Sequence, residues 1–165
     1  MIENKISANS KLITLDLSEL IRESDFQELD IAPWLWQGLV LKETEYRKAL
    51  NGVNWSDFSA KHVLIQCSVD AIIPTWAYML LSSKLSGIAT SVTYTTPDKV
   101  DENKALLVIH DLELSHFENK NVVVKGCSDL NLTPHVYVQL QLKLQSVVNR
   151  IMFGEPCSTV PIFKR

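Results

Sequence analysis

No window of the sequence holds the roughly 18 unbroken apolar residues that a membrane-spanning helix requires, so no membrane partner is expected. The opening stretch MIENKISANSKL lacks the charged-then-apolar layout of a secretory signal, and a cytoplasmic protein is expected. Positive charge is not in excess either: a net charge of -3 and a pI near 5.8 leave no electrostatic footprint for nucleic acid. There is no GxGxxG, no Walker A loop and no HExxH, which removes the commonest nucleotide and zinc-protease signatures. Cysteine is scarce. Only Cys67, Cys127 and Cys157 occur, none forms a CxxC pair, and the odd count leaves at least one outside any intramolecular disulfide. In a reducing compartment they are expected as thiols, ligands or small buried groups.

What is present is a repeated layout. HVLIQCSVDAIIPTWAYMLLSSKL, from His62 to Leu85, returns about sixty positions later as NVVVKGCSDLNLTPHVYVQLQLKL. In both copies an apolar run of strand length leads to Cys-Ser, a short loop follows, and a Pro opens a helical pattern. Cys-Ser appears again at Cys157-Ser158, just after Ile151-Met152-Phe153. Val63-Leu64-Ile65 and Val122-Val123-Val124 are apolar at consecutive positions, the pattern of strands buried on both faces of a parallel sheet. Val92-Thr93-Tyr94 and Ile151 to Phe153 supply two further strands, and helices are expected over 74–85, from Asp101 through Ile109, and over 134–148. The alternation implies a three-layer α/β sandwich with a mainly parallel sheet of about four strands.

The first sixty residues are less patterned. Leu12 to Leu17 reads as an N-terminal edge strand, Ser18 to Asp30 as acidic surface loop with at most one helical turn, and Pro33 to Trp36 as a short helix ended by Gly38. Lys42 to Leu50 reads as a helix, with Glu43 and Arg47 spaced to pair on its solvated face. Trp34 and Trp36 read as packing groups. At 165 residues one α/β domain is expected, an N-terminal extension of about 1–60 packed on a core of about 61–165.

In open parallel sheets ligands collect at the carboxyl ends of the strands. Cys67 and Cys127 fall at such ends and Cys157 just past one, so the expectation is that all three lie at one edge. Asp70, Asp129 and His135 are their polar neighbours and the candidate catalytic groups. Helix N-termini near Pro74 and Pro134 favour thiolate there. Three cysteines with a fourth donor suit zinc, and three with one open iron suit a [4Fe-4S] cluster. A phosphate cradle of the cysteine-phosphatase kind is not supported, since Ser68 to Ile73 contain neither Gly nor Arg.

WLWQGLVLKE at Trp34 to Glu43, DAIIPTWAYMLL at Asp70 to Leu81, VVVKGC at Val122 to Cys127 and GEPCSTVP at Gly154 to Pro161 together carry a resemblance. Over nearly its whole length the chain resembles an uncharacterised bacterial family, domain of unknown function family 2480. That resemblance implies a small cytosolic protein and supplies no activity, cofactor or catalytic residue. Three readings therefore stand at this point. They are a protein binding a metal or iron–sulfur cluster through Cys67, Cys127 and Cys157; a non-enzymatic interaction or scaffold module with buried cysteines, its Trp34/Trp36 region or tail contacting a protein partner or a further copy of the chain; and a thiol-dependent enzyme.

Overall fold

The computed structural model describes residues 11–126, 129–155 and 157–165. Among these the chain forms β1 (Leu12–Leu15), α1 (Leu17–Glu23), β2 (Phe26–Asp30), α2 (Glu43–Asn51), β3 (His62–Gln66) and α3 (Thr75–Leu85). It continues through β4 (Ser91–Tyr94), α4 (Val100–Asp111), β5 (Asn121–Val124), α5 (Pro134–Gln145), β6 (Arg150–Glu155) and β7 (Ser158–Lys164). The contacts group into two compact units. Asp25–Val100 is an inserted unit, and the chain on either side, up to Ser24 and from Asp101 to Arg165, makes a split unit.

The inserted unit carries a parallel sheet in the order β2-β3-β4. The split unit carries β1-β5-β6-β7, its first three strands parallel and β7 antiparallel to β6. The single sheet expected from the alternation is thus two sheets. A crossover demands only a parallel neighbour, and β5 finds that neighbour in β1 rather than in β4; nothing local to Val122 encodes the choice. The expected N-terminal edge strand is there, as β1 at one edge of the split unit's sheet.

Each sheet is built round a central strand buried on both faces. Val63, Leu64 and Ile65 of β3 and Val122, Val123 and Val124 of β5 are all buried. Each such side chain contributes roughly 1.5–3 kcal/mol by leaving water. Helices supply the cover, α3 with Ala77, Leu81 and Leu85 facing inward, and α5 with Val136, Leu140 and Leu144. In the inserted unit Tyr46 of α2 is fully buried and donates its hydroxyl to the Ala77 carbonyl at 3.1 Å. Burial, with Tyr78 adding to it, pushes that phenol up to about 12.

The two units share a strand register and several backbone hydrogen bonds. Phe26 pairs with His62 and His62 with Ser91, as Leu12 pairs with Asn121 and Asn121 with Arg150. Ala60, at φ 61°, donates to Ile88, and Asn119, at φ 56°, donates to Val147. Thr90 donates to Lys61 and Asn149 to Lys120, both at 2.8 Å. Even the aromatic contacts recur, Tyr78 edge-on to Tyr94 at 5.2 Å and Tyr137 edge-on to Phe153 at 5.6 Å. The register of this repeat is one residue off the one visible in the letters. Asn121 answers His62, so Gly126 and not Cys127 answers Cys67, and Thr133 and not Pro134 answers the N-cap residue Pro74. A Cβ at Gly126 would meet the Phe153 ring at 2.6 Å, which displaces any side chain from that position.

Ser18 to Asp30, expected as loop, holds most of α1 and all of β2. Asp16 caps α1 by accepting from the Ser18 amide at 2.9 Å. The C-terminal residues turn back along β6 as β7. The Glu43–Arg47 pair forms as expected, at 2.9 Å on an exposed face.

If the units are equivalent, Leu81→Ala and Leu140→Ala will each cost about 2–5 kcal/mol, whereas Met79→Ala, on the outer side of α3, will cost under about 0.5 kcal/mol. Chemical denaturation followed by circular dichroism measures all three, and a large effect at Met79 would contradict the assignment of faces.

Candidate functional site

In the inserted unit the carboxyl ends of the strands are organised by Asp30, the last residue of β2. Its Oδ2 accepts from Ser68 Oγ, and its Oδ1 accepts from the amides of Ser68 and Ala32 at 3.0 and 2.9 Å. Burial alone would raise this carboxyl, but these three hydrogen bonds outweigh it and hold Asp30 below the ordinary aspartate value. Cys67 lies beside this turn, half-buried, its thiol donating to the Val69 carbonyl at 3.4 Å. Tyr78 stands close by, its phenol pushed up by burial first and then by Tyr94 and Cys67. Gln66 donates to Glu28 Oε2 at 3.1 Å while its own Oε1 is buried. Asp70 is exposed in the loop that follows.

The split unit has the equivalent aspartate, Asp16, at the end of β1. It accepts from Ser18 Oγ and from the Ser18 amide at 2.9 Å, and pairs with Lys125 Nζ at 3.4 Å. Burial works against its ionisation; the Ser18 bonds and the Lys125 ammonium prevail and hold it low. Because both units keep this aspartate in the same turn, its role belongs to the fold. Asp129 and His135 are exposed, His135 in the first turn of α5. Cys157 is exposed in the turn between β6 and β7, and Cys127 lies outside the described residues.

The sequence-predicted site residues are therefore distributed over two sheets. Cys67 and Asp70 belong to the inserted unit, and Cys157, Asp129 and His135 to the split unit. Of the three cysteines expected at one sheet edge, Cys67 follows a strand of one sheet and Cys157 lies between two strands of the other. Among the described residues no three His, Cys, Asp or Glu side chains are grouped to hold a metal ion. Among the described residues, neither Cys67 nor Cys157 hydrogen bonds to a histidine or carboxylate, the pairing that activates a nucleophilic thiol. His62 places Nδ1 2.8 Å from Ser91 Oγ and its ring 5.2 Å from that of Phe26.

Two features of the split unit escaped sequence reasoning. The first is the outer face of α5. Val138 and Leu142 are 53% and 63% exposed, one turn apart, opposite the buried Val136, Leu140 and Leu144. They border an almost wholly apolar groove of about 500 Å³ that also takes in Tyr137, Gln141 and Phe153. The same three residues line a smaller hollow reaching Ile162 of β7, so the apolar surface continues from helix to strand. The signal lay in VYVQLQLKL, where strict alternation on a helix puts apolar groups on opposite sides. The second feature is a cleft of about 490 Å³ between β1, α1 and residues 112–120.

Asp30→Ala will lower stability by about 1 kcal/mol near neutral pH, as loss of a capping carboxylate does. Since the folded carboxyl titrates below the unfolded one, that contribution is complete above the unfolded value of about 3.9. It fades as the pH falls through the lower folded value. Denaturation midpoints of parent and variant compared down the acid limb measure this, and a gap that widens in acid would contradict it. Iodoacetamide followed by peptide mass analysis will label exposed Cys157 faster than half-buried Cys67; the reverse order would contradict the placement.

A family model described as "Protein of unknown function (DUF2480)" matches residues 1–165, the whole chain. No curated protein and no solved structure matches it.

Proposed function

We propose that the chain, which belongs to the DUF2480 family, works as a non-catalytic interaction module that pairs with a second copy of itself. The contact runs through the outer face of α5 and the adjoining β7. The observation that carries this reading is Val138 and Leu142, exposed one turn apart on a helix already apolar on its inner side. A helix apolar on both sides is one that is covered on both sides. Val160 and Ile162, 60% and 51% exposed on β7, extend the patch.

Charge supports a like partner. Apart from His135, the only charged residue type on α5 is Lys143, and its ammonium donates to the His110 carbonyl. A two-fold contact sets the same residues opposite each other. The helix has no carboxylate, its one ammonium sits in the last turn tied back to the His110 carbonyl, and the one charge on β7, Lys164, is that strand's last residue, so the middle of such a contact is free of charge. The metal or iron–sulfur reading on Cys67, Cys127 and Cys157 gains no support from the described residues. The thiol-enzyme reading finds no base hydrogen-bonded to Cys67 or Cys157 among the described residues.

Sedimentation equilibrium on the full chain tests the proposal. The parent protein will be dimeric, and Leu142→Glu, which places a charge on a surface already exposed, will be monomeric with an unchanged far-ultraviolet spectrum. A parent chain that stays monomeric up to about 1 mM, the weak end of specific association, would overturn it, as would a Leu142→Glu dimer.

A further inference from the structure

At positions equivalent to ones on or beside the split unit's cleft, the inserted unit carries much larger side chains. Leu20, on the cleft wall, is answered in the other unit by Trp34, and neighbouring Leu114 is answered by Trp55. The correspondence is anchored on either side of Leu20: Leu17 and Ile21 are buried as Ile31 and Leu35 are. Trp34 packs against Tyr46 with ring centroids 5.8 Å apart, and Trp55 against Phe58 at 5.9 Å. The split unit keeps the phenylalanine, as Phe117, and puts leucines where the two indoles stand. About 490 Å³ is left open, within the usual range of small-molecule sites, roughly 300–1,000 Å³.

The same comparison isolates one polar group. Lys61 of the inserted unit donates to Gln27 Oε1 at 3.4 Å. The equivalent lysine, Lys120, lines the cleft half-buried, but the position of Gln27 is taken by apolar Ile13. Its ammonium thus loses the acceptor that its counterpart has. The other charges on the cleft are Asp16, Glu19, Glu113 and His116. Asp16 is paired with Lys125. Glu113 accepts from the Ser115 amide at 3.2 Å and is further held ionised by His116 nearby. Glu19 is exposed on the rim.

We infer that this cleft is a binding site for a small aromatic carboxylate, its ring occupying the space of the missing indoles and its carboxylate meeting Lys120. The inference is independent of self-association, since α5 and β7 contribute nothing to the cleft. Isothermal titration of the full chain with indole-3-acetate, indole and tryptamine as probes tests it. Indole-3-acetate will bind saturably, indole more weakly, and tryptamine, with a cation in place of the carboxylate, weakest. Lys120→Met will weaken indole-3-acetate about tenfold or more, the usual loss for a charge-assisted hydrogen bond, and leave indole unchanged. Leu20→Trp, which supplies the indole found in the other unit, will abolish binding of all three. Absence of saturable binding by indole-3-acetate would overturn the proposal. So would equal affinity for tryptamine, or an undiminished affinity in Lys120→Met; the latter variant, altering a half-buried side chain with no partner among the described residues, keeps the test decisive if Leu20→Trp does not fold.

Discussion

Two strands, β3 and β5, impose the rest of the architecture because both of their faces and both of their edges are inside. Val63–Leu64–Ile65 and Val122–Val123–Val124 have no solvent side, so each strand must be flanked by parallel partners and covered by helices. That requirement explains why each central strand is followed by a short loop and a helix whose inward residues recur every fourth position. It also explains why the loop-bearing carboxyl ends carry the polar turns. Asp30 and Asp16 close those turns by accepting backbone amides, which removes donors that would otherwise be stranded beside an apolar core.

The duplication turns one half of the molecule into a control for the other. Features held in both units, such as the strand-end aspartate, the left-handed residue before the central strand and the edge-on aromatic pair, answer to the fold. Differences are where a special role is to be sought. Tyr46, Trp34 and Trp55 fill the inserted unit, while Ala105, Leu20 and Leu114 stand at the same places in the split unit. Outward, Met79 and Ser83 on α3 are answered by Val138 and Leu142 on α5, so the exposed apolar face extends a turn further in the split unit.

The strands and helices from His62 onward were legible because their signals are local: consecutive β-branched residues, Pro at helix starts, apolar spacing. Strand partnership was not. β5 pairs with a strand more than a hundred residues earlier, and no pattern at Val122 names Leu12–Leu15. That one unreadable pairing makes two sheets where one was expected and puts Cys67 and Cys157 in different units. β2 was hidden by the acidic sequence FQELD, in which only Leu29 is buried. Cys-Ser was over-read: its repeat is one residue out of structural register, and the position equivalent to Cys67 is Gly126, lying under the Phe153 ring. The α5 face was visible as alternation but was absorbed into the helix assignment, because alternation alone does not say that a second side lacks cover.

Self-association through α5 and β7 is the central claim, and hydrogen exchange with mass analysis at two protein concentrations tests it directly at the level of segments. The account predicts slow, concentration-independent exchange in β3 and β5, with dilution speeding exchange selectively in residues 134–145 and 158–164. Exchange in those two segments that is indifferent to concentration, or dilution effects confined to other segments, would contradict it.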